Sequence, residues 1–302
     1  MRIQEILNKK RIKSILFSVA LVILIGFNPD ISAKNSIGDN SQEILKQILK
    51  KTGEYCERIK EIALYYVCKE NIAVKENLYK TVKNINPIIN PYGELRYDNN
   101  ARKLKLHRTK KKTLIYDYQL IKKEEKLEEK RVLLQENRKK KQKKNAELKT
   151  NYQAKYIIYG PVGFLSKYWQ YYFDFEVTGE DLIDNKKTIL LKASPKPANK
   201  NNRNYATIWI DKNDFSILQI EWEPESIIDY QDKIKFKKLG DIKRTVTWRV
   251  TYGIEKNGVR FPSKQFIQDG IFDSSGEKKI LEEISFIYDN YKFFIVEIEY
   301  ET

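Results

Sequence analysis

Residues 245–258 read Thr-Val-Thr-Trp-Arg-Val-Thr-Tyr-Gly-Ile-Glu-Lys-Asn-Gly. Val246, Trp248, Val250 and Tyr252 alternate with Thr245, Thr247, Arg249 and Thr251, the period of a strand with one apolar and one polar face. Asn257-Gly258 then supplies the residue pair that tight hairpins favour, because both positions accept positive φ. The pattern repeats on either side of this stretch: Tyr171, Phe173, Phe175 and Val177; Ile189, Leu191 and Ala193; Leu218, Ile220 and Trp222; Ile284, Phe286 and Tyr288; Phe294, Val296, Ile298 and Tyr300. Asp184-Asn185, residues 211–214, Ser275-Gly276 and Asp289-Asn290 mark turns between them. Short turns between half-apolar strands specify an antiparallel meander. The fold class is therefore mainly β, one large and strongly curved sheet with an N-terminal helix.

The apolar face of such a sheet must be covered. Ile44, Leu45, Ile48, Leu49, Tyr55, Cys56, Ile59, Ile62 and Ala63 recur at helical steps, which predicts an amphipathic helix over 41–64 that starts at Asp39–Ser41. A second, short apolar segment runs from Gly160 to Trp169. Two helices are few for so many large inward side chains. Either the sheet closes into a filled barrel, or it curls partway round a cavity roofed by helices, and barrel interiors are common apolar ligand sites. The candidate lining is Tyr116, Tyr118, Phe173, Phe175, Trp209, Leu218, Ile220, Trp222, Val246, Trp248, Val250, Phe294 and Val296. Trp209 competes with Ile208 and Ile210 for the inward face. Leu114, Tyr116, Tyr118 and Leu120 form one further strand face, whereas 76–112 gives no clear pattern. Lys122–Lys144, with eleven bases and five acids, reads either as a charged helix or as two strands joined by the Arg138–Lys144 run.

The N-terminus orders a basic segment (Arg2, Lys9, Lys10, Arg11, Lys13), an apolar run from Ile15 to Phe27, and the small-residue exit Ser32-Ala33. That is the layout of a cleaved export signal over 1–33, and the run is too short for a spanning helix of roughly 20 residues. No Cys follows it to carry a lipid. The chain of 302 residues has a net charge of +16. Export directs that charge away from nucleic acid and towards an anionic membrane surface or envelope proteins, with the Lys-rich 138–144 segment as the contact, or leaves it as a solvated loop. Cys56 and Cys68 are the only cysteines, and in an oxidising compartment they form a candidate disulfide if the chain reverses between them.

Catalysis finds little support. One His (His107) cannot build a triad or a His-based metal site, no nucleophile-elbow, zincin or P-loop motif is present, and no cofactor or metal is expected. The order of features instead resembles the outer-membrane lipoprotein-sorting, LolA/LolB-like periplasmic superfamily. The resemblance is carried by the export signal, the amphipathic helix, Tyr116-Asp117-Tyr118-Gln119, Gly160-Pro161, Ala193-Ser194-Pro195-Lys196, Ile208-Trp209-Ile210-Asp211, Val259-Arg260-Phe261-Pro262-Ser263 and Tyr291-Lys292-Phe293-Phe294. It implies a single domain over 34–302 forming an incomplete (half) β-barrel with helices on its open side, with 122–150 as a Lys-rich insertion. It further implies a periplasmic carrier of lipid or lipoprotein acyl chains in a diderm envelope. The alternative is an envelope sensor or protein-interaction module on the same scaffold.

Overall fold

The alternation over 245–251 forms a strand, and so do the segments at 173–177, 189–193, 218–222 and 284–288, whereas Asp289-Asn290 lies inside a strand instead of ending it and 295–300 lie outside the described residues. In the computed structural model, residues 32–63, 65–83, 87–89, 95–97, 102–123, 126–152, 156–199, 204–224, 226–227, 243–273 and 276–294 are described. In chain order the elements are α1 (Ser32–Ile62), β1 (Tyr65–Lys83), β2 (Pro87–Ile89), β3 (Leu95–Tyr97), β4 (Arg102–Lys123), β5 (Lys126–Glu136) and β6 (Lys139–Lys143). A 3₁₀ turn at Ile157–Tyr159 leads into α2 (Gly160–Leu165) and α3 (Lys167–Gln170). The remaining strands are β7 (Phe173–Ile183), β8 (Lys186–Pro195), β9 (Ala206–Asp211), β10 (Ile217–Trp222), β11 (Lys243–Thr251), β12 (Ile254–Lys256), β13 (Val259–Phe261), β14 (Lys264–Phe272) and β15 (Lys278–Phe293). Among the described residues no helix is long and apolar enough to cross a membrane.

Eleven strands make one open antiparallel sheet in the order β6-β5-β4-β1-β15-β14-β11-β10-β9-β8-β7. β12–β13 and β2–β3 are small separate hairpins. The sheet does not close: its two edges, β6 and β7, are consecutive in sequence, and the chain between them crosses from one edge to the other. That crossing buries Tyr152, Ile157, Ile158, Val162, Phe164 and Leu165. It is what covers the apolar face, together with the α1 stripe of Ile48, Tyr55, Cys56, Ile59 and Ala63.

Several expectations are corrected. α1 begins at Ser32, so Asp39–Ser41 lies inside the helix instead of at its start. Gly38 is the only helix-breaking type there, and one Gly costs a helix only about 1 kcal/mol. The chain divides between Gln42 and Glu43, within α1, and the sheet belongs to the part from Glu43 onward. Of the two readings of 122–144 the strand one holds, but the joining run is shorter than expected: Asn137 (φ 47) and Arg138 (φ 65) make the tight turn, and Lys139–Lys143 is itself strand β6. Within 76–112, β1 and β4 pair from Tyr65↔Ile121 to Lys83↔Arg102 as a long ribbon. Of the export signal, residues 1–31 lie outside the described residues.

Cys56 and Cys68 are both buried and both free. The Cys56 Sγ points at the Pro161 carbonyl oxygen, 3.5 Å away, on α2. Cys68 lies on the core face of β1 beside Tyr66 and Tyr291. The chain does reverse between them, but each thiol faces a different neighbour. Burial pushes both thiols well above their ordinary range, so neither is poised as a thiolate.

A candidate apolar binding cavity

α2 sits flush on the sheet because Gly160 has no side chain. A Cβ there would lie 2.5 Å from the Tyr252 hydroxyl and 3.6 Å from the Trp222 ring. Pro161 follows at the first helical turn, where its missing N–H costs nothing. Side-chain hydrogen bonds fix the segment from several sides. Tyr252 donates to the Ile157 carbonyl (2.9 Å), Tyr159 to the Ala63 carbonyl (2.9 Å) and Tyr156 to the Leu127 carbonyl (2.9 Å). Gln170 donates to the Leu49 carbonyl at 2.7 Å.

Between this segment and β10–β11 lies a cavity of about 440 Å³. Ile157, Phe164, Trp222, Ile227 and Trp248 form its apolar wall, with Gly160 and Gly163 on the helix side and Tyr156, Tyr159, Asn204 and Ser226 completing it. The rings are contiguous: Trp222–Trp248 centroids are 5.9 Å apart and Phe164–Trp222 6.2 Å. A Cβ at Gly163 would meet nothing within 4 Å.

Of the thirteen sequence candidates, Trp222 and Trp248 line this cavity. Phe173 is one ring behind it, 5.2 Å from Phe164, and Phe175 follows at 6.1 Å from Phe173. Tyr116, Tyr118, Leu218, Ile220, Val246 and Val250 are buried. They pack in the interior and do not line the hollow. Trp209 faces the opposite side from the buried Ile208 and Ile210, and its indole donates to Asp181 at 3.0 Å. Phe294 is 55% exposed. Asn290 (φ 54) lies where the β1–β15 register slips, after which Tyr291 and Phe293 face the core and Phe294 faces out. Val296 lies outside the described residues. The lining residues that alternation misses, Ile157, Phe164, Gly163 and Ile227, lie outside the strands; Gly160-Pro161 marks their segment but not their orientation.

The inner face is also less uniformly apolar than the alternation implies. Glu70, fully buried on β1, receives Arg131 Nε at 2.8 Å and Nη2 at 3.2 Å. The Tyr288 hydroxyl stands 3.2 Å from Glu70 Oε1 and 3.2 Å from Gln265 Oε1. It has one proton, and the carboxylate is the stronger acceptor. Turning the Gln265 amide over would then give its otherwise unpartnered Nε2 an acceptor in the phenol oxygen. Arg131 also lies 3.5 Å from Glu129 and 4.7 Å from the Tyr118 ring centroid. Further along the face, Arg244 clasps Asp269 at 2.8 and 2.5 Å and reaches the Tyr152 hydroxyl at 2.8 Å. Among the described residues no group of three or more His, Cys, Asp or Glu could hold a metal ion.

Glu282 belongs to this polar end. Asn151 donates to both its oxygens, at 2.9 and 3.0 Å. Burial, with the Asp269 carboxylate adding to it, nevertheless raises its proton affinity above the usual carboxylate value. The folded state then binds this proton more tightly than the unfolded chain does. The resulting stability is present in acid and lost as the pH rises through the raised value. Glu282→Gln is expected to raise the unfolding midpoint at neutral pH and to leave it unchanged in mild acid; a pH series of thermal melts on both proteins checks this.

No family model matches the chain, and no curated protein sequence matches it. Solved structures do. A DUF1329 family protein from Desulfovibrio piger is 8% identical, with 81% of this chain and 92% of that chain covered and a TM-score of 0.32. A domain from Vibrio parahaemolyticus named for outer membrane lipoprotein sorting is 11% identical (81% and 91% covered, TM-score 0.34). A LolA superfamily protein from Nitrosomonas europaea is 10% identical (83% and 94% covered, TM-score 0.29). At these scores and identities, what the chain does has to be argued from its own side chains.

Proposed function

We propose that this protein is a binding protein, not an enzyme, that takes the hydrocarbon chain of a lipid or of an acylated protein into the cavity between α2 and the Trp222–Trp248 wall. The observation that carries this is the cavity itself: a ring-lined hollow of about 440 Å³, partly open to the surface, beside a packed core. That volume is within the range of about 300–1,000 Å³ for small-molecule sites. Each CH₂ buried there contributes roughly 0.8 kcal/mol, so affinity requires no reactive group. In this reading the export signal over 1–33 delivers the chain to the periplasm of a diderm envelope, where it serves lipoprotein or lipid traffic.

Gly163→Phe tests the reading, because that side chain would enter open space at a helical position. A fluorescent fatty acid is expected to bind the unchanged protein with its emission shifted to the blue. Gly163→Phe should weaken that binding at least about tenfold, which corresponds to roughly two buried methylenes. Its melting temperature should not fall, since replacing a helical Gly removes a cost of about 1 kcal/mol. Equal binding by the two proteins, or none by either, would sink the proposal.

The second result would favour a protein-interaction module. A specific surface supports that alternative: Tyr168 and Tyr171, 63% and 75% exposed, join Trp169 and Tyr172 in a run of rings 5.2–5.6 Å apart beside the edge strand β7.

A further inference from the structure

We propose that the β4–β5–β6 arm is a docking surface for an anionic membrane, independently of what fills the cavity. Residues 102–149 hold nineteen of the chain's 57 Lys and Arg but only seven of its 41 Asp and Glu. An excess of twelve, out of a chain total of +16, thus falls on three neighbouring strands at one edge of the sheet. Every residue of β6, Lys139–Lys143, is exposed. The arm's ion pairs include Lys110 with Glu76, Lys112 and Lys149 with Glu136, Lys130 with Glu128, and Arg131 with Glu70 and Glu129. None of these involves a base of 138–144.

The face turned away from the core adds a second feature. Ile115 and Leu134 floor a groove whose rim carries Lys69, Lys140 and Lys141. Apolar contact beneath a ring of ammonium groups matches a bilayer surface, where anionic headgroups overlie hydrocarbon. Nucleic acid fits less well. Of the arm's aromatic rings Tyr116 and Tyr118 are buried and His107 alone is exposed, so it offers no run of rings for successive bases to stack on, and among its described residues there is no helix to enter a major groove. Lysines on an edge strand also discourage unwanted strand pairing. That accounts for β6 but not for Lys69, Lys105 and Lys111, which lie exposed on the interior strands β1 and β4.

The full chain is sedimented with vesicles of one part phosphatidylglycerol to three parts phosphatidylcholine, and with phosphatidylcholine alone. The difference between the two is the readout, so insertion of any apolar segment cancels. Retention on the anionic vesicles alone is expected, falling as salt rises because the Debye length shortens to about 8 Å at physiological ionic strength. Lys139→Gln, Lys140→Gln and Lys141→Gln together should lower retention more than tenfold, at up to about fivefold per charge. A matched triple, Lys187→Gln, Lys192→Gln and Lys264→Gln, should lower it less than about twofold. Fatty-acid binding should be unchanged in both triples, which separates this surface from the cavity and shows that both fold. Equal retention on the two vesicle types, equal loss in the two triples, or displacement from vesicles by a duplex DNA that binds more tightly would each overturn the proposal.

Discussion

Arg131→Ala is expected to remove about 3–5 kcal/mol of stability, the range for stranding one partner of a buried ion pair. Glu70 has no exposure at all, and its two oxygens rely on Arg131, with the Tyr288 hydroxyl beside one of them. Without the guanidinium, Glu70 is left as an uncompensated group in the interior, which costs folding energy. Truncation would also leave the Tyr118 ring and the Glu129 carboxylate without the cation they face. Against a total stability on the order of 5–15 kcal/mol, the loss is large enough to read from a urea transition. The paired replacement Glu70→Leu with Arg131→Met should recover most of it, because the cost lies in the unpaired charge rather than in losing the bridge. A single-variant loss below about 1 kcal/mol would mean that water reaches Glu70 and that the pair is not a buried one.

Phe261→Ala should cost a similar amount, about 3–5 kcal/mol, through cavity formation. Phe261 has no exposure and sits at the end of β13, outside the eleven-stranded sheet. Its ring is 5.5 Å from Tyr66 on β1, 5.5 Å from Tyr291 on β15 and 4.7 Å from Phe293. One side chain from a small hairpin therefore presses on the first and the last strand of the main sheet where they pair. The Tyr291 hydroxyl donates to the adjacent Pro262 carbonyl at 2.7 Å, so the hairpin is held against β15 from the next residue too. Phe261→Leu keeps most of the volume and should lose less than half as much. If the Ala variant melts within a degree or two of the parent, the hairpin is an ornament rather than a clamp.

Asp289-Asn290, read as a turn, lies inside β15, and β14 was not picked out, but β7, β8, β10, β11 and β15 as far as Tyr288 were legible because alternation marks an apolar face in each. β5 was not, for a reason visible in the interior: its inward positions include Glu129 and Arg131, which pair with partners on β4 and β1, so the alternation of hydrophobicity disappears while the alternation of direction remains. Phe294 was misplaced by a single residue, Asn290, whose left-handed backbone resets the count. The cysteines illustrate the same limit. Reversal of the chain between positions 56 and 68 could be inferred from sequence, but that Cys56 faces Pro161 depends on how α2 lies, which is set by Gly160 against Tyr252. Trp222 and Trp248 could be placed on one face by their period. That they, and not Val250 or Tyr116, border empty space depends on the crossing from β6 to β7, which has no period to read.

The pairing of β1 with β15 has a consequence for how the chain is made. Asn71 contacts Ile287 across 216 positions, so a nascent chain must keep β1 waiting for its seam partner until residues 282–293 have emerged. Until then one side of β1 and the whole greasy lining are available to strangers, and contacts this distant also form slowly. The β1–β4–β5–β6 ribbon, whose partners are near neighbours in sequence, is the piece that can settle first.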